Sequence, residues 1–351
     1  MLMDISGKEL KHGIIQGGMG VGVSLSRLAG SVAKEGCMGV ISSVNIGFNE
    51  PDFLTDPFEA NIRALKEHIK RAKEISEGNG LIGVNIMVAV SHYEETVKAA
   101  IAAGADAIIS GAGLPLNLAE LVKESKTLFA PIVSSGRAAM LLCRTFIKKA
   151  GILPDFIVIE GHQAGGHLGF SADDLEGDTC QPNLEILQDV KEVIRPFEEQ
   201  FKKKIRIFLG GGIFSKQDIE QAVEAGADGV QIGTRFIATN ECDADDVFKQ
   251  VIVEAKEKDI RIIKSPVGMP ARAIYTPLLQ RLEAGEKFFA KTCNSCLKAC
   301  PKGDKIPYCI SRALISAVKG NKEEGLFFCG ENASRIDRIV PVKELIEELV
   351  L

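Results

Sequence analysis

The stretch Glu160–Gly169 reads EGHQAGGHLG and places two histidines and four glycines directly after the apolar run Phe156–Ile159. An apolar run of this kind predicts a strand buried on both faces, and the polar residues mark the point where the chain leaves the core. Glycine has no Cβ and therefore lets the backbone approach a ligand closely. Because histidine titrates near neutrality, His167 is suited to proton transfer in such a loop. The stretch predicts a site at the end of a strand, with His167 as its catalytic residue.

Two later glycine-rich strand ends predict a site for a phosphate. Gly210, Gly211 and Gly212 follow one apolar run, and Gly233 and Thr234 follow the next. Both motifs would present backbone N–H groups near the start of a helix, as an anion requires. Three glycines in a row are also compatible with a tight turn alone. Because both motifs lie at the two strand ends where parallel barrels often bind phosphate, we expect a phosphorylated cofactor or substrate.

Other predicted strand ends carry groups suited to the same site. The first strand ends in the glycine-rich stretch Gln16–Gly20, against which a flat ring can lie. Hydrogen-bonding side chains occur at the ends of strands three to five, namely Asn85, Ser110, Ser134 and Ser135. A single serine at such a position is more often a helix N-cap. Taken as a ring at several strand ends, these residues indicate a binding site.

The fold follows from eight short apolar runs, separated by stretches of helical pattern. The runs are Ile14–Gln16, Gly39–Ser42, Ile82–Ile86, Ala107–Ser110, Pro131–Ser134, Phe156–Ile159, Ile205–Leu209 and Val230–Gly233. Strand–helix alternation repeated eight times predicts an α/β protein with a (β/α)8 TIM barrel. A doubly wound open sheet is the competing fold. We expect the barrel to span residues 1–240 and a helical, cysteine-rich cap, packing on the barrel, to span residues 241–351.

The predicted cap contains closely spaced cysteines, Cys293, Cys296, Cys300 and Cys309. Cysteines at this spacing can ligate zinc or an iron–sulfur cluster, although the spacing differs from that of bacterial ferredoxins. The alternative is free thiols that fill a small helical cap. The sequence leaves both interpretations open.

Bulk composition restricts the class of protein. The chain has 351 residues, 46% hydrophobic and 25% charged, with a net charge of −5, so a nucleic acid or an anionic membrane is not the expected partner. The first residues lack a signal-peptide pattern, and the most apolar region is interrupted by charge, glycine and proline. Nine cysteines without a secretory signal indicate a reducing compartment. We expect a cytoplasmic protein that acts on a small molecule, and a homodimer is compatible with the sequence.

The motifs together resemble the nitronate monooxygenase family, also called 2-nitropropane dioxygenases, which includes the FMN-dependent enoyl-acyl-carrier-protein reductases of type II. The resemblance covers about residues 10 to 280, and its most specific element is the Ala-Gly-Gly-His motif. Its parts are Gly17–Met19, Ala164–His167, Gly210–Ile213, Gly233–Phe236 and Met269–Ala273.

The resemblance implies non-covalently bound FMN. The flavin phosphate would lie on the loops after strands seven and eight, and the ring would lie near the first and third strand ends. The family's functional histidine falls on His167. The residues expected to bind the cofactor are Gly18, Met19, Gly20, Asn85, Ser135, Gly165, Gly166, Gly210, Gly211, Gly212, Gly233 and Thr234.

The resemblance leaves the substrate open. Family members often carry an acidic residue just before Ala-Gly-Gly-His, whereas this chain has Gln163. The first interpretation is an enzyme that oxidises alkyl nitronates with oxygen, with His167 as base or as the group that positions the anion. The second is an enoyl-thioester reductase that uses NAD(P)H as co-substrate. A third, non-catalytic interpretation is a barrel that binds a phosphorylated ligand.

Overall fold

A computed structural model describes residues 2–288, 292–300 and 305–350. Within these residues, eight parallel strands close into a barrel in the order β10-β11-β3-β4-β5-β6-β7-β8. The strands in chain order are β1 (Met3–Ile5), β2 (Lys8–Leu10), β3 (Ile14–Gln16), β4 (Met38–Ser42), β5 (Leu81–Met87), β6 (Ala107–Gly111), β7 (Leu128–Val133), β8 (Phe156–Glu160), β9 (Gly166–His167), β10 (Arg206–Gly210), β11 (Gly229–Ile232), β12 (Ile260–Lys264) and β13 (Pro270–Ile274).

The predicted TIM barrel is confirmed, and each of the eight apolar runs contributes one barrel strand. The fifth strand begins three residues before the predicted start, at Leu128, because its first residues pair with β6. The strands are mostly apolar because helices cover the outside of the barrel while side chains fill its inside.

Helices alternate with these strands and continue beyond the barrel. They are α1 (Ser26–Lys34), α2 (Pro57–Ser76), α3 (Tyr93–Ala102), α4 (Leu118–Val122), α5 (Gly136–Ala150), α6 (Ala172–Glu176), α7 (Asn183–Phe201), α8 (Lys216–Glu224), α9 (Thr234–Ile237), α10 (Asp246–Glu254), α11 (Pro277–Glu283), α12 (Ile310–Val318) and α13 (Val342–Leu349). Among the described helices, none combines the length and the apolar composition that a membrane span needs.

Strand alternation decides which side chains reach the inside of the barrel. On β8, Phe156 and Val158 belong to the inner cluster, whereas Ile157 and Ile159 pack in the outer cluster against the helices. Successive side chains of a strand point to opposite faces, so Glu160 continues the inner series at the carboxyl end. The opposite end of the barrel is closed by the hairpin β1–β2, whose Ile5 and Leu10 join the inner cluster.

The segment after the barrel returns to the loop that follows β8. Strands β12 and β13 form an antiparallel pair, and β13 also pairs with β9, giving a sheet in the order β12-β13-β9. The motif Met269–Ala273 is mostly strand. The backbone of β13 pairs with β12 across a short turn, and it also bonds to β9 and to Cys329, which lie far away in the sequence.

The last helix belongs to the main core. Leu345 and Ile346 of α13 are buried in the same cluster as the outer faces of the barrel strands. A smaller cluster, which includes Leu278 of α11, Ala313 of α12 and Leu326, lies between the C-terminal elements. The cysteine-rich segment lies against the loop after β5, where Ser91 N donates to Cys296 O at 3.1 Å.

We expect Leu345→Ala to lower the free energy of unfolding by about 2–5 kcal/mol, because it removes a fully buried side chain from the main core. Urea unfolding followed by circular dichroism and by fluorescence would measure this loss, and the two signals should coincide. Leu184→Ala is the matched control, since Leu184 is 43% exposed and should change stability by less than about 0.5 kcal/mol. A separate early transition confined to the C-terminal residues would contradict shared packing.

Candidate active site

A cavity of about 430 Å³ opens at the carboxyl ends of the barrel strands. This is the end of a parallel barrel where active sites are found. The predicted site residues that line it are Gly18, Met19, Gly20, Asn85, Gly165, Gly166, His167, Gly211, Gly212, Gly233 and Thr234. The structure thus brings the motifs from strand ends one, three, six, seven and eight into one cavity, while their roles in binding stay predictions.

Two predicted residues lie beside the cavity without lining it. Ser135 is the N-cap of α5, and its Oγ accepts a hydrogen bond from Ala138 N at 3.3 Å. Gly210 is the last residue of β10, and a Cβ there would point toward Ile159 O and Gln231. Ser135 therefore has the capping contact that a lone serine at this position usually makes.

Some glycines of the cavity wall are required by close packing, and one is not. A Cβ on Gly18 would lie 2.4 Å from the Asn85 Cβ, and one on Gly20 would lie 2.2 Å from Val44 Cγ1. A Cβ on Gly233 would instead meet no atom closer than the Met19 Sδ at 3.5 Å, which is an ordinary contact. Packing within the protein does not require glycine at Gly233, so its absent side chain leaves room in the cavity itself.

The loop after β10 presents backbone N–H groups. Gly211 and Gly212 have φ angles of +89° and +87°, a left-handed backbone conformation that residues with a Cβ rarely adopt. Asn332 Nδ2 donates to Gly212 O at 2.8 Å. Because C=O and N–H point in opposite directions across a trans peptide, this bond turns the Ile213 N–H away from Asn332. Among the described residues, no acceptor bonds to the N–H of Gly212 or Ile213, so both are available to an anion.

The loop that carries His167 is fastened by Arg272 of β13. The guanidinium Nη1 donates to His162 O and to Ala164 O, both at 2.6 Å. Arg272 is only 7% exposed, and burial lowers its pKa. Its two partners lie 110 and 108 residues away in the sequence, so no local pattern indicates the role of this arginine.

His167 is held on two sides and lines the cavity. Its Nε2 lies 2.8 Å from Ser265 Oγ, and its ring makes an edge-on contact with Phe328 at a centroid distance of 5.2 Å. Burial disfavours the charged imidazolium and lowers the pKa of His167 to about 4. The ring is therefore neutral at pH 7.

Glu160 is a titratable residue of the cavity wall that was not among the predicted site residues. It lines the cavity, and its side-chain carboxyl forms neither a hydrogen bond nor an ion pair with any described residue. Burial raises the pKa of its carboxyl to about 7. The available signal was the alternation along the strand, since Glu160 follows the inward residues Phe156 and Val158 at a spacing of two.

Gln163 and His162, which lie just before the Ala-Gly-Gly-His motif, differ in whether they reach the cavity. Gln163 lines the cavity, and its backbone O accepts a hydrogen bond from Glu331 N at 3.1 Å. His162 is absent from the cavity wall, and its Nδ1 is buried without a hydrogen-bond partner in the described chain. His167, and not His162, is therefore the histidine that a bound molecule would meet.

The predicted metal ligands lie away from this cavity. Cys293 is exposed, and Cys296, Cys300 and Cys309 are partly buried. The pKa of Cys296 is raised to about 11, first by burial and then by the nearby thiols of Cys309, Cys300 and Cys293. In the described ranges, no three His, Cys, Asp or Glu side chains are arranged to hold a metal ion. The metal site stays a prediction.

Comparison with known proteins identifies the family. The family model described as nitronate monooxygenase matches residues 2–351, so the chain belongs to the nitronate monooxygenase family. It is 24% identical to a probable nitronate monooxygenase of Bacillus subtilis, over 97% of this chain and 96% of that protein. It is also 23% identical to a (3aS,4S,5R,7aS)-5-hydroxy-7a-methyl-1-oxo-octahydro-1H-indene-4-carboxyl-CoA dehydrogenase of Mycobacterium tuberculosis, over 97% of this chain and 93% of that protein.

Solved structures give the same fold. FabK from Thermotoga maritima superposes with a TM-score of 0.71 at 25% identity, over 97% of this chain and 92% of FabK. A nitroalkane oxidase from Streptomyces ansochromogenes superposes with a TM-score of 0.70 at 20% identity, over 97% and 95% of the two chains. The second likeness concerns the fold alone. Together with the family match, these relatives indicate an oxidoreductase.

We predict that Glu160→Gln changes the pH dependence of stability. Because the folded pKa of Glu160 is raised from 4.5 to about 7, the folded state keeps the proton more tightly than the unfolded state. This residue therefore costs the wild type stability as pH rises from 4.5 to 7. The variant should gain on the order of 1–3 kcal/mol relative to the wild type between pH 4.5 and pH 8.

Urea unfolding of the two ligand-free proteins across this pH range would measure the difference. His167 is common to both proteins, so its opposite contribution cancels in the comparison. A difference that stays constant across the range would show that Glu160 titrates normally.

Proposed function

We propose that this protein is an FMN-dependent oxidoreductase of the nitronate monooxygenase type, which oxidises alkyl nitronates with oxygen. The observation that carries the proposal is the position of His167, which is neutral and lines the same cavity as the free N–H groups of the loop after β10. Membership of the nitronate monooxygenase family supports the reaction class.

The residues of the cavity fit FMN. The free N–H groups of Gly212 and Ile213 would bind the phosphate together with the backbone of Gly233 and Thr234. The hydroxyl of Thr234 already accepts a hydrogen bond from Gly330 N at 2.8 Å, which holds this edge of the cavity in place. Gly18, Met19 and Asn85 would lie against the flavin ring. When bound, FMN supplies the acceptor for the substrate's electrons and the contact with oxygen.

The protein's own residues would bind and orient the substrate. His167 either removes the proton α to a nitro group or holds the anionic nitronate, because a neutral ring has one nitrogen that can accept a proton and one that can donate a hydrogen bond. Because burial raises the pKa of Glu160 to about 7, its carboxyl places less negative charge near an anionic substrate than an ordinary glutamate would. Apolar side chains from the C-terminal part, Leu314, Leu326 and Phe328, complete the wall and exclude water.

An enoyl-thioester reductase that uses NAD(P)H is the second candidate function. The likeness to FabK, an enoyl-acyl-carrier-protein reductase, over 97% of this chain favours it. The apolar wall formed by Leu314, Leu326 and Phe328 also suits an acyl chain. Both candidate functions use FMN. In the first, the nitronate would reduce the flavin and oxygen would oxidise it; in the second, NAD(P)H would reduce the flavin and the enoyl thioester would oxidise it.

Gly233→Ala should weaken FMN binding about tenfold or more while leaving the fold intact, because the new Cβ meets no protein atom within a tight distance but enters the cavity. Gly104→Ala is the matched control. Gly104 has a φ of +83° and open space around it, so its substitution strains the backbone away from the cavity. Flavin fluorescence titration should show a lower FMN affinity only in Gly233→Ala. Thermal unfolding should show a lower stability only in Gly104→Ala.

Equal FMN affinity in Gly233→Ala and the wild type would remove this glycine from the cofactor site. A purified protein that is colourless and binds no FMN would contradict the flavoenzyme proposal and favour a barrel that binds another phosphorylated ligand.

His167→Asn should retain FMN and lose about 10²–10⁴-fold in turnover, the usual contribution of a positioned acid–base group. The wild-type flavoprotein should consume oxygen when mixed with an alkyl nitronate. Anaerobic mixing with NADH or NADPH should leave the flavin absorbance unchanged.

Rapid bleaching by a pyridine nucleotide, followed by turnover with an enoyl thioester, would replace the monooxygenase with the reductase. Full activity of His167→Asn would remove His167 from either mechanism. Leu116→Ala is a control variant, because Leu116 is exposed and lies outside the cavity wall.

A further inference from the structure

Ser265 is a buried serine whose hydroxyl forms hydrogen bonds, among the described residues, only with His167 and with its own turn. It is 2% exposed, and its Oγ lies 2.8 Å from His167 Nε2. It begins the turn between β12 and β13, which is closed by Ser265 N donating to Met269 O at 3.1 Å and Gly268 N donating to Ser265 O at 3.1 Å. The hydroxyl is therefore fixed relative to the histidine by the hairpin.

The acceptors available to the Ser265 hydroxyl hydrogen decide which of the two groups is the donor. Val267 N directs its hydrogen at Ser265 Oγ at 3.5 Å, so the oxygen already faces one donor. No backbone or side-chain oxygen of the described residues accepts from Ser265 Oγ, and His167 Nε2 is the one acceptor within reach. If Nε2 carried the proton instead, the buried hydroxyl hydrogen would have no partner, which is unfavourable.

We infer that Ser265 is a positioning residue that donates its hydroxyl hydrogen to Nε2 and thereby keeps His167 in the tautomer with the proton on Nδ1. The ring is neutral, so one nitrogen accepts and the other donates. Nδ1 makes no hydrogen bond to any described residue, and His167 lines the cavity, so this N–H is the group offered to a bound molecule.

This assignment makes His167 a hydrogen-bond donor to a substrate oxygen. It rests on the proposed function, because it selects between the two roles left to His167 there. A donor suits a substrate that arrives with an anionic or carbonyl oxygen, such as a preformed nitronate or a thioester. A neutral nitroalkane would instead need a ring lone pair facing its carbon, and in this tautomer the lone pair is taken by Ser265.

The tautomer can be observed without turnover. Long-range ¹H–¹⁵N correlation spectra of the FMN-loaded protein with ¹⁵N-labelled histidine distinguish a protonated ring nitrogen from an unprotonated one. The chain has five histidines, and the spectrum of His167→Asn identifies the missing signals. At pH 7 we expect His167 to show a protonated Nδ1 and an unprotonated Nε2. A protonated Nε2 would overturn the inference, whichever substrate the enzyme proves to use.

Variants test the role of the serine. Ser265→Ala should shift the tautomer signals of His167 and lower kcat at least about tenfold. Ser265→Thr keeps a hydroxyl and should restore both. Ser311→Ala is the matched control, because Ser311 is 3% exposed and bonds to Asn45 at 2.8 Å, away from the cavity. Unchanged signals of His167 in Ser265→Ala would overturn the positioning role.

Discussion

The contact on which the site depends is the clamp that Arg272 places on the loop after β8. A buried guanidinium is costly unless its donors are satisfied, and here two of its bonds reach the carbonyls of His162 and Ala164. The same strand pairs with β9, where Ala271 lies opposite His167. A loop rich in glycine has high conformational entropy, so without these contacts it would not hold one histidine in one orientation. The segment after the barrel thus completes the active end of the barrel.

Removal from water shifts two groups of the cavity in opposite directions. It lowers the pKa of His167 and raises that of Glu160, and in both cases it favours the neutral form. The imidazole is neutral at pH 7, and the carboxyl is close to half protonated. The free N–H groups of the loop after β10 remain available to an anionic ligand as neutral hydrogen-bond donors.

The parts that sequence could predict are those with local patterns. The eight strands follow from apolar runs, and His167, Gly212 and Gly233 follow from the residue types at strand ends. Glu160 was within reach of the same reasoning, because alternation along β8 places it on the inner face. Ser265 was not, since it meets His167 from 98 residues away and its own neighbours suggest only a turn. A contact between side chains so far apart in the sequence produces no periodic pattern of residue types.

The cavity wall is divided between the side proposed for the cofactor and the side proposed for the substrate. The side expected to hold FMN is built from barrel strand ends, where glycine positions are fixed by close packing, as at Gly18 and Gly20. The opposite side comes from the C-terminal part, through Leu314, Leu326 and Phe328. Those residues are held by apolar packing, which tolerates exchange of one hydrophobic side chain for another far better than a glycine cradle tolerates a Cβ. One barrel can therefore keep its cofactor while the C-terminal wall adapts to different substrates. The side chains of that wall are the ones expected to determine which substrate this protein accepts.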